Sequence, residues 1–243
     1  MTNKVYKQII SRLREMRLPV MADQLVTLIE SNEIFSMSSE DVLNQLTEEE
    51  FYSRKNNTID RLKKKANLSQ RQASVIEIDY QPTRKINRSL ITQLESNEYI
   101  QRQRDIIILG ACGTGKSYIA NALGNLACES FHSVLYVRMF ELISEIESYK
   151  LNGQISKIIQ KYSKVDVLII DDFLLHEVSS KEVVELFKII ELRHRRKSTI
   201  VCSQIEPKEW HQKLGSDELA DSILDRIVPG AYKLVLFGDS LRQ

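Results

Sequence analysis

Cysteine is scarce in this chain: three residues, Cys112, Cys128 and Cys202, an odd number without the spacing of a metal site. That argues against a disulfide framework and for a reducing compartment. Neither sign of charge is in excess, since 34 Lys and Arg face 33 Asp and Glu for a formal net charge of +1. The whole-chain balance therefore favours no nucleic-acid or membrane partner, and any such contact must come from local clusters. No apolar run approaches the length that spans a bilayer, and Met1-Thr-Asn-Lys-Val-Tyr-Lys7 lacks the apolar core of a signal peptide. The expectation is a cytoplasmic protein without a membrane partner. Repeats and low-complexity tracts are absent. Glycine is sparse too, eight in 243 residues, which makes the pair in Gly113-Thr-Gly115 informative.

What is present is a soluble globular profile, 42% hydrophobic and 28% charged. The length suits one α/β domain with a smaller companion. The glycine pair lies in Gly110-Ala-Cys-Gly-Thr-Gly-Lys-Ser117. This fits G-x-x-x-x-G-K-[ST], with a β-branched run before it and a helical pattern after it, as the motif requires. Gly110, Gly113 and Gly115 permit a tight turn whose N–H groups face phosphates at the positive end of the next helix. Lys116 is placed to reach the β- and γ-phosphates of ATP, and the Ser117 hydroxyl to ligate Mg²⁺. Ala111, Cys112, Thr114 and Tyr118 complete the candidate cofactor contacts. A glycine turn without a ligand would not need the Lys-Ser pair.

Residues 1–70 read as a small all-helical N-terminal domain, with a role in oligomerisation or in DNA or partner contact. Val5, Ile9, Leu13 and Met16 recur at helical spacing, Pro19 interrupts, and Met21, Leu25, Leu28 and Ile29 begin a second run. Ser38 and Asp41 resemble a capping box for a third helix, whose far end carries Arg54, Lys55, Arg61, Lys63, Lys64, Lys65 and, beyond it, Arg71. Such a cluster can neutralise phosphates along a duplex. It can equally be a solvated face paired with Glu48, Glu49, Glu50 and Asp60. Residues 71–104 read as a linker, with an extended piece at 75–80 and a short helix from 88 to 96.

From Asp105 apolar runs alternate with helical ones, the pattern of an α/β domain over 105–243 with a parallel five-stranded sheet flanked by helices. Strands are predicted at 105–109, 133–137, 165–170, 199–203 and 232–236, and helices at 116–130, 140–150, 154–162, 180–195 and 217–227. The run Val165-Asp-Val-Leu-Ile-Ile-Asp171-Asp172 is an apolar strand ending in two carboxylates. A magnesium-dependent NTPase places such a pair opposite its phosphate loop, Asp171 holding Mg²⁺ through water and Asp172 orienting or deprotonating the attacking water. Gln204, at the tip of another strand on the same sheet edge, is placed to position that water. Arg226 ends an amphipathic helix and Arg242 lies near the last residue; either can neutralise a transferring phosphoryl group. On the residues alone, surface ion pairing explains both arginines as well.

Together these stretches resemble one family, the AAA+ ATPase helpers of IS21-type transposition, called IstB-like and related to the DnaC helicase loaders and DnaA initiators. The likeness is carried by Gly110 to Ser117, Leu168-Ile-Ile-Asp-Asp-Phe173, Ser198-Thr-Ile-Val-Cys-Ser-Gln204 with Trp210, Asp221-Ser-Ile-Leu-Asp-Arg226 and Gly238-Asp-Ser-Leu-Arg242. It extends to Leu46-Thr-Glu-Glu-Glu50, Arg54 and Ala66 in the helical part. The resemblance implies an AAA+ P-loop NTPase in which Gln204 is sensor 1, Arg226 a finger reaching a neighbouring subunit's nucleotide, and Arg242 sensor 2. It implies a homo-oligomer with ATP between subunits that assembles on duplex DNA, deforms it and stimulates a partner transposase, hydrolysis then dispersing the assembly. Lys150, Lys157 and Lys161 join the basic cluster as DNA candidates. A helicase loader and a small-molecule kinase are the competing readings, the second lacking any basic lid pattern after the sheet. Two departures stand out: Ala111-Cys112 replaces the usual Pro-Pro, and Phe173-Leu174 stands where many relatives carry a glycine.

Overall fold

The computed structural model describes residues 4–241, which divide into two compact units, one up to Arg61 and one from Leu62 onward. The first contains α1 (Lys4–Glu15), α2 (Pro19–Glu30) and most of α3 (Ser39–Ala66). Its core is Leu25, Leu28 and Leu46, with Ile10, Leu13, Met21 and Ile29 against it. Pro19 opens α2 where its missing N–H leaves no gap in the ladder. The next two N–H groups, of Val20 and Met21, donate to Oε2 of Glu50 on α3 at 3.0 and 3.1 Å. One buried carboxylate thus caps a helix to which it does not belong. The predicted cap of α3 is present: the Asp41 N–H donates to Ser38 Oγ at 3.1 Å.

The sequence places a boundary at residue 70 and a linker over 71–104, whereas the structure divides the chain after Arg61 and builds that segment into the second unit. Ala73, Ile78, Ile91, Leu94, Tyr99 and Ile100 are buried. The segment carries α4 (Arg88–Glu95) and α5 (Glu98–Gln101). Its polar backbone is satisfied as burial demands, Asn125 Nδ2 donating to the carbonyls of Arg71 and Ala73 at 3.1 and 2.9 Å. The expected extended piece is a 3₁₀ turn, Val75–Glu77, capped by Ser74. The alternation Val-Ile-Glu-Ile reads as a strand, but the turn satisfies its own backbone, Glu77 N–H bonding to Ser74 O, while Ile76 stays 90% exposed.

The second unit is built on five parallel strands, β1 (Ile106–Gly110), β2 (Val134–Arg138), β3 (Val167–Asp171), β4 (Ser198–Ser203) and β5 (Tyr232–Leu236), in the order β2-β3-β4-β1-β5. Alternation of side chains divides the core between the two faces. Ile106 and Ile108 pack with Ile119 and Leu123 of α6 (Lys116–Glu129) and with the 73–100 segment. Ile107 and Leu109 pack on the side of α7 (Met139–Leu151), α8 (Ile155–Lys164), α9 (Ser180–Arg193), α10 (Pro207–Lys213) and α11 (Glu218–Ile227). Every strand and helix predicted after residue 104 is present within two residues at each end; α10 was not predicted. Leu109 pairs with Ser203 and Arg138 with Asp171, so the tips of β1, β2, β3 and β4 share one edge. No helix among the described residues is long and apolar enough to cross a membrane.

Candidate nucleotide-binding site

The loop between β1 and α6 wraps the start of α6, with Gly115 at the cap position. Gly113 (φ 81°) and Gly115 (φ 92°) adopt left-handed backbone that side chains disfavour. Space forbids a side chain as well. A Cβ on Gly113 would meet Ser240 Oγ at 2.1 Å, and one on Gly115 would meet Arg84 Nη2 at 2.7 Å. Both neighbours come from outside the loop. The segment after β5 folds back over it, the Leu241 N–H donating to Gly113 O at 3.0 Å. Arg84 is buried with its Nη1 on Asp79 O at 2.6 Å and its Nη2 on Thr114 O at 2.7 Å. The loop is therefore held by a guanidinium from one side and by the chain's last described residues from the other.

A cleft of about 460 Å³ opens above the loop. Cys112, Gly113, Gly115, Lys116, Ser117 and Tyr118 form one wall, and Asp172 and Gln204 face them. Thr114 is buried beneath, its Oγ1 on Ala111 O at 2.9 Å. Lys116 Nζ donates to Ala111 O at 2.8 Å. Burial pulls its pKa below the usual lysine value, against the opposing pull of Cys202, Asp171, Cys112 and Asp172. Tyr118 Oη donates to Glu77 Oε2 at 2.8 Å and accepts from the Ser74 N–H, tying the cleft to the 3₁₀ turn.

Asp171 lies behind this wall, 2% exposed. Tyr136 Oη donates to its Oδ2 at 2.7 Å, and the Asp172 N–H to its Oδ1 at 2.9 Å. Burial and the bond to Asp171 push the Tyr136 phenol well above its usual value, so it remains a donor. Asp172 has left-handed backbone (φ 53°) and swings its carboxylate into the cleft. The next residues explain the missing glycine. Phe173 is fully buried edge-on to Trp210, ring centroids 4.9 Å apart, and its N–H bonds to Cys202 O at 2.8 Å. Ser203 Oγ donates to Phe173 O at 2.9 Å and accepts from Trp210 Nε1 at 3.2 Å. A packed aromatic pair thus fixes the end of β3 against the end of β4, and with them Asp172 against Gln204.

Gln70, Arg138, Leu175 and Leu241 also line the cleft and were not anticipated. The signal for Arg138 was available, because a β2 tip on the edge that holds Asp171 and Gln204 must face the same space. Gln70 had none: it arrives through Asn121, whose Oδ1 accepts from the Gln70 N–H at 3.2 Å and whose Nδ2 donates to Ser117 O at 2.6 Å.

Arg226 does not reach this cleft. Its Nε pairs with Glu191, its Nη1 donates to Ser222 O at 2.8 Å, and its guanidinium stacks 5.0 Å from the Phe187 ring. It borders a separate hollow at the opposite end of the strands, where Asp105 precedes β1. Arg242 lies outside the described residues. Of the proposed DNA contacts, Arg54 is engaged by Glu50 at 2.7 Å and Arg17 O at 2.5 Å, Lys63 by Glu129, Lys150 by Glu185 and Lys161 by Glu145. Lys55 lies over the Phe51 ring, and Lys157 Nζ donates to Gln154 Oε1 at 3.3 Å. Arg61, Lys64 and Lys65 on α3 are exposed and have no ion pair among the described residues.

Residues 11–243 match the family model described as IstB-like ATP binding protein. An insertion sequence ATP-binding protein of Sinorhizobium fredii is 32% identical over 231 residues, 95% of this chain and 93% of that protein. The ATP-binding protein of insertion sequence IS232 from Bacillus thuringiensis subsp. berliner is 26% identical over 237 residues, 98% of this chain and 94% of that one. Among solved structures, replication initiator DnaA bound to AMPPCP and single-stranded DNA aligns with a TM-score of 0.58 at 22% identity, covering 71% of this chain and 52% of DnaA. The DnaC helicase loader aligns at 0.55 with 17% identity, covering 68% of this chain and 96% of the loader. These structural likenesses fix the fold as the AAA+ P-loop type.

Proposed function

The chain belongs to the IstB-like ATP-binding proteins of IS21-type insertion sequences, and from that premise we propose that it is a Mg²⁺-dependent ATPase acting between copies of itself on duplex DNA. The observation that carries this reading is a division of labour. Lys116, Ser117, Asp172 and Gln204 converge on one cleft, with Asp171 directly behind, while Arg226 lies at the far end of the sheet. An arginine so placed meets a nucleotide only if it is offered to another copy.

Within one cleft, the loop N–H groups and Lys116 hold the β- and γ-phosphates. The donors suit a hard cation that keeps its waters and sits on substrate phosphates: a Ser117 hydroxyl on the wall, an Asp171 carboxylate behind it, and no three-residue His, Cys, Asp or Glu cage among the described residues. Bound there, Mg²⁺ would neutralise charge on the phosphates. Gln204 orients a water whose oxygen forms a bond to the γ-phosphorus as the bond to the β–γ bridging oxygen breaks. ADP leaves with that electron pair, and the water's proton passes to Asp172. Arg226 of an adjoining copy stabilises the charge spread over the transferring group, with Arg242 assigned the same task within the chain.

The insertion-sequence relatives support the wider assignment: an ATP-controlled assembly that prepares duplex DNA as a transposition target and stimulates a transposase. In it Arg61, Lys64 and Lys65 are the favoured phosphate contacts, and Arg54, Lys55, Lys63, Lys150, Lys157 and Lys161 would have to leave present partners to join them. The test is mass measurement of the purified protein with and without ATP and duplex DNA, repeated with Arg226→Ala. An assembly that forms but no longer turns over ATP is expected; turnover unchanged by Arg226→Ala would remove the shared site. Tight ATP-dependent binding to single strands, with none to duplex, would favour a helicase loader.

A further inference from the structure

The hollow that Arg226 borders, about 450 Å³ in volume, contains more than one arginine. Arg102, Arg104, Arg195 and Arg226 all line it, against the carboxylates of Asp105 and Asp225. Three of the four are engaged. Arg226 is held by Glu191, Arg102 Nη2 by Glu98 Oε2 at 2.9 Å, and Arg104 Nη1 donates to Gly230 O at 3.1 Å. Arg195 is exposed and makes no ion pair and no side-chain hydrogen bond among the described residues.

Its backbone is also unusual. Arg195 has φ 54°, a left-handed conformation that arginine seldom adopts and that neighbours must hold in place. Those neighbours are identifiable. The preceding Arg193, 1% exposed, drives its guanidinium under the turn, with Nε on Thr199 Oγ1 at 3.1 Å and Nη1 on Tyr162 O at 2.9 Å and Val165 O at 2.8 Å. Arg193 O accepts from the N–H groups of both Arg196 and Lys197, closing the turn around Arg195. His194 Nδ1 lies 3.2 Å from Arg226 O, linking this turn to the helix end that carries Arg226. The turn that carries Arg195 and the helix end that carries Arg226 are thus tied together, and both residues line one hollow. Burial pushes the Asp105 carboxyl up to about 7, which weakens one of the hollow's two countercharges near neutral pH.

Resting on the reading of Arg226 as a finger between copies, we propose that Arg195 is a second arginine given to the neighbouring copy's nucleotide. It contacts the terminal phosphates of the nucleoside triphosphate beside Arg226. A guanidinium without a carboxylate partner, carried on a strained turn and lining the same hollow as Arg226, matches an anion with several oxygens to share. Neither lines the nucleotide cleft of its own chain, so a triphosphate reaches the hollow only when a second copy brings it.

The experiment uses the full-length protein with Arg195→Asn and Arg195→Lys. Asparagine tolerates left-handed backbone better than arginine, so Arg195→Asn keeps the turn and removes the charge. Binding of a fluorescent ATP analogue should be within about twofold of the parent protein, while kcat falls by at least about tenfold and KM changes little, a smaller loss than that expected for Arg226→Ala. Assembly promoted by ADP with aluminium fluoride, a mimic of the transferring phosphoryl group, should weaken in parallel, with Arg195→Lys intermediate. Mixing Arg195→Asn with Lys116→Ala should regain turnover, because one copy then offers an intact cleft and the other an intact hollow. If Arg195→Asn keeps kcat within twofold while Arg226→Ala loses it, the inference fails and the shared site stands. Recovery for the Arg226→Ala mixture but none for Arg195→Asn would place Arg195 in its own copy and overturn the inference. Failure of both mixtures would overturn the shared site and the inference together.

Discussion

At the residue scale, the cleft is tuned by side chains that never touch its open space. Asp171 accepts from the Tyr136 hydroxyl and the Asp172 N–H, and the hydroxyl can be removed without disturbing the backbone. Tyr136→Phe keeps the ring in its packing and deletes the hydroxyl. A hydrogen bond to a charged group contributes about 1.5–3 kcal/mol, so the Mg²⁺ concentration needed for half-maximal nucleotide binding should rise on the order of tenfold. Titration of Mg²⁺ against a fluorescent ATP analogue reads this directly, and an unchanged midpoint would leave Tyr136 without that role. Cys112 offers a second test, since it is exposed on the cleft wall whereas Cys128 and Cys202 are buried. Burial raises both inner thiols, Cys128 to about 11 and Cys202 well above its usual value, so neither forms thiolate readily near neutral pH. A thiol reagent should therefore block ATP binding in the parent protein and leave Cys112→Ala untouched; equal inhibition of both would place the damage elsewhere.

At the scale of the element, helices are fixed by residues far away in sequence. Glu50 caps α2 from α3, and Arg54 bridges it to the carbonyl of Arg17. Burial alone would raise the Glu50 pKa, but Arg54 and the N–H groups of Met21 and Val20 outweigh it and hold it below the usual carboxylate value. A lowered pKa in the folded state means the stabilisation is present above the unfolded value and is lost as pH falls through the folded one. Glu50→Gln should cost about 1–3 kcal/mol at neutral pH, and the gap between parent and variant should close in acid. Urea denaturation at several pH values measures both. The α10 helix has a comparable anchor in Trp210, the chain's single tryptophan. Trp210→Ala should cost about 3–5 kcal/mol from the lost packing against Phe173. It should also slow ATP turnover, because the same contact sets Asp172 against Gln204.

At the scale of the whole molecule, a nearly neutral chain must draw any DNA affinity from local charge. Four of the nine proposed contacts sit in ion pairs, Arg54, Lys63, Lys150 and Lys161, which leaves fewer charges to meet phosphate than the sequence cluster suggested. Neutralised phosphates each add roughly 0.9 to the salt slope of duplex binding. Replacing Arg61, Lys64 and Lys65 together by alanine should therefore flatten that slope by roughly 2–3, with little change in sequence preference. A slope equal to the parent's would move the DNA surface away from α3.

The sequence by itself determined what depends on local order and on period. The glycine-rich loop needs particular residues at fixed spacing, the strands and helices after residue 104 follow from alternation and helical recurrence, and the place of Asp171-Asp172 at the tip of β3 follows from the end of an apolar run. Only the tertiary structure decided what depends on residues brought from a distance. Burial of 71–104 reflects apolar side chains too scattered to read as an element until α6 and β1 supply their partners. The helix α10 was too short to show a period, yet Trp210 pins it to Phe173. Tyr136 on Asp171, Arg84 beneath Gly115 and the separation of Arg226 from its own cleft arise where strands lie side by side, and strand order leaves no trace in the spacing of any one stretch.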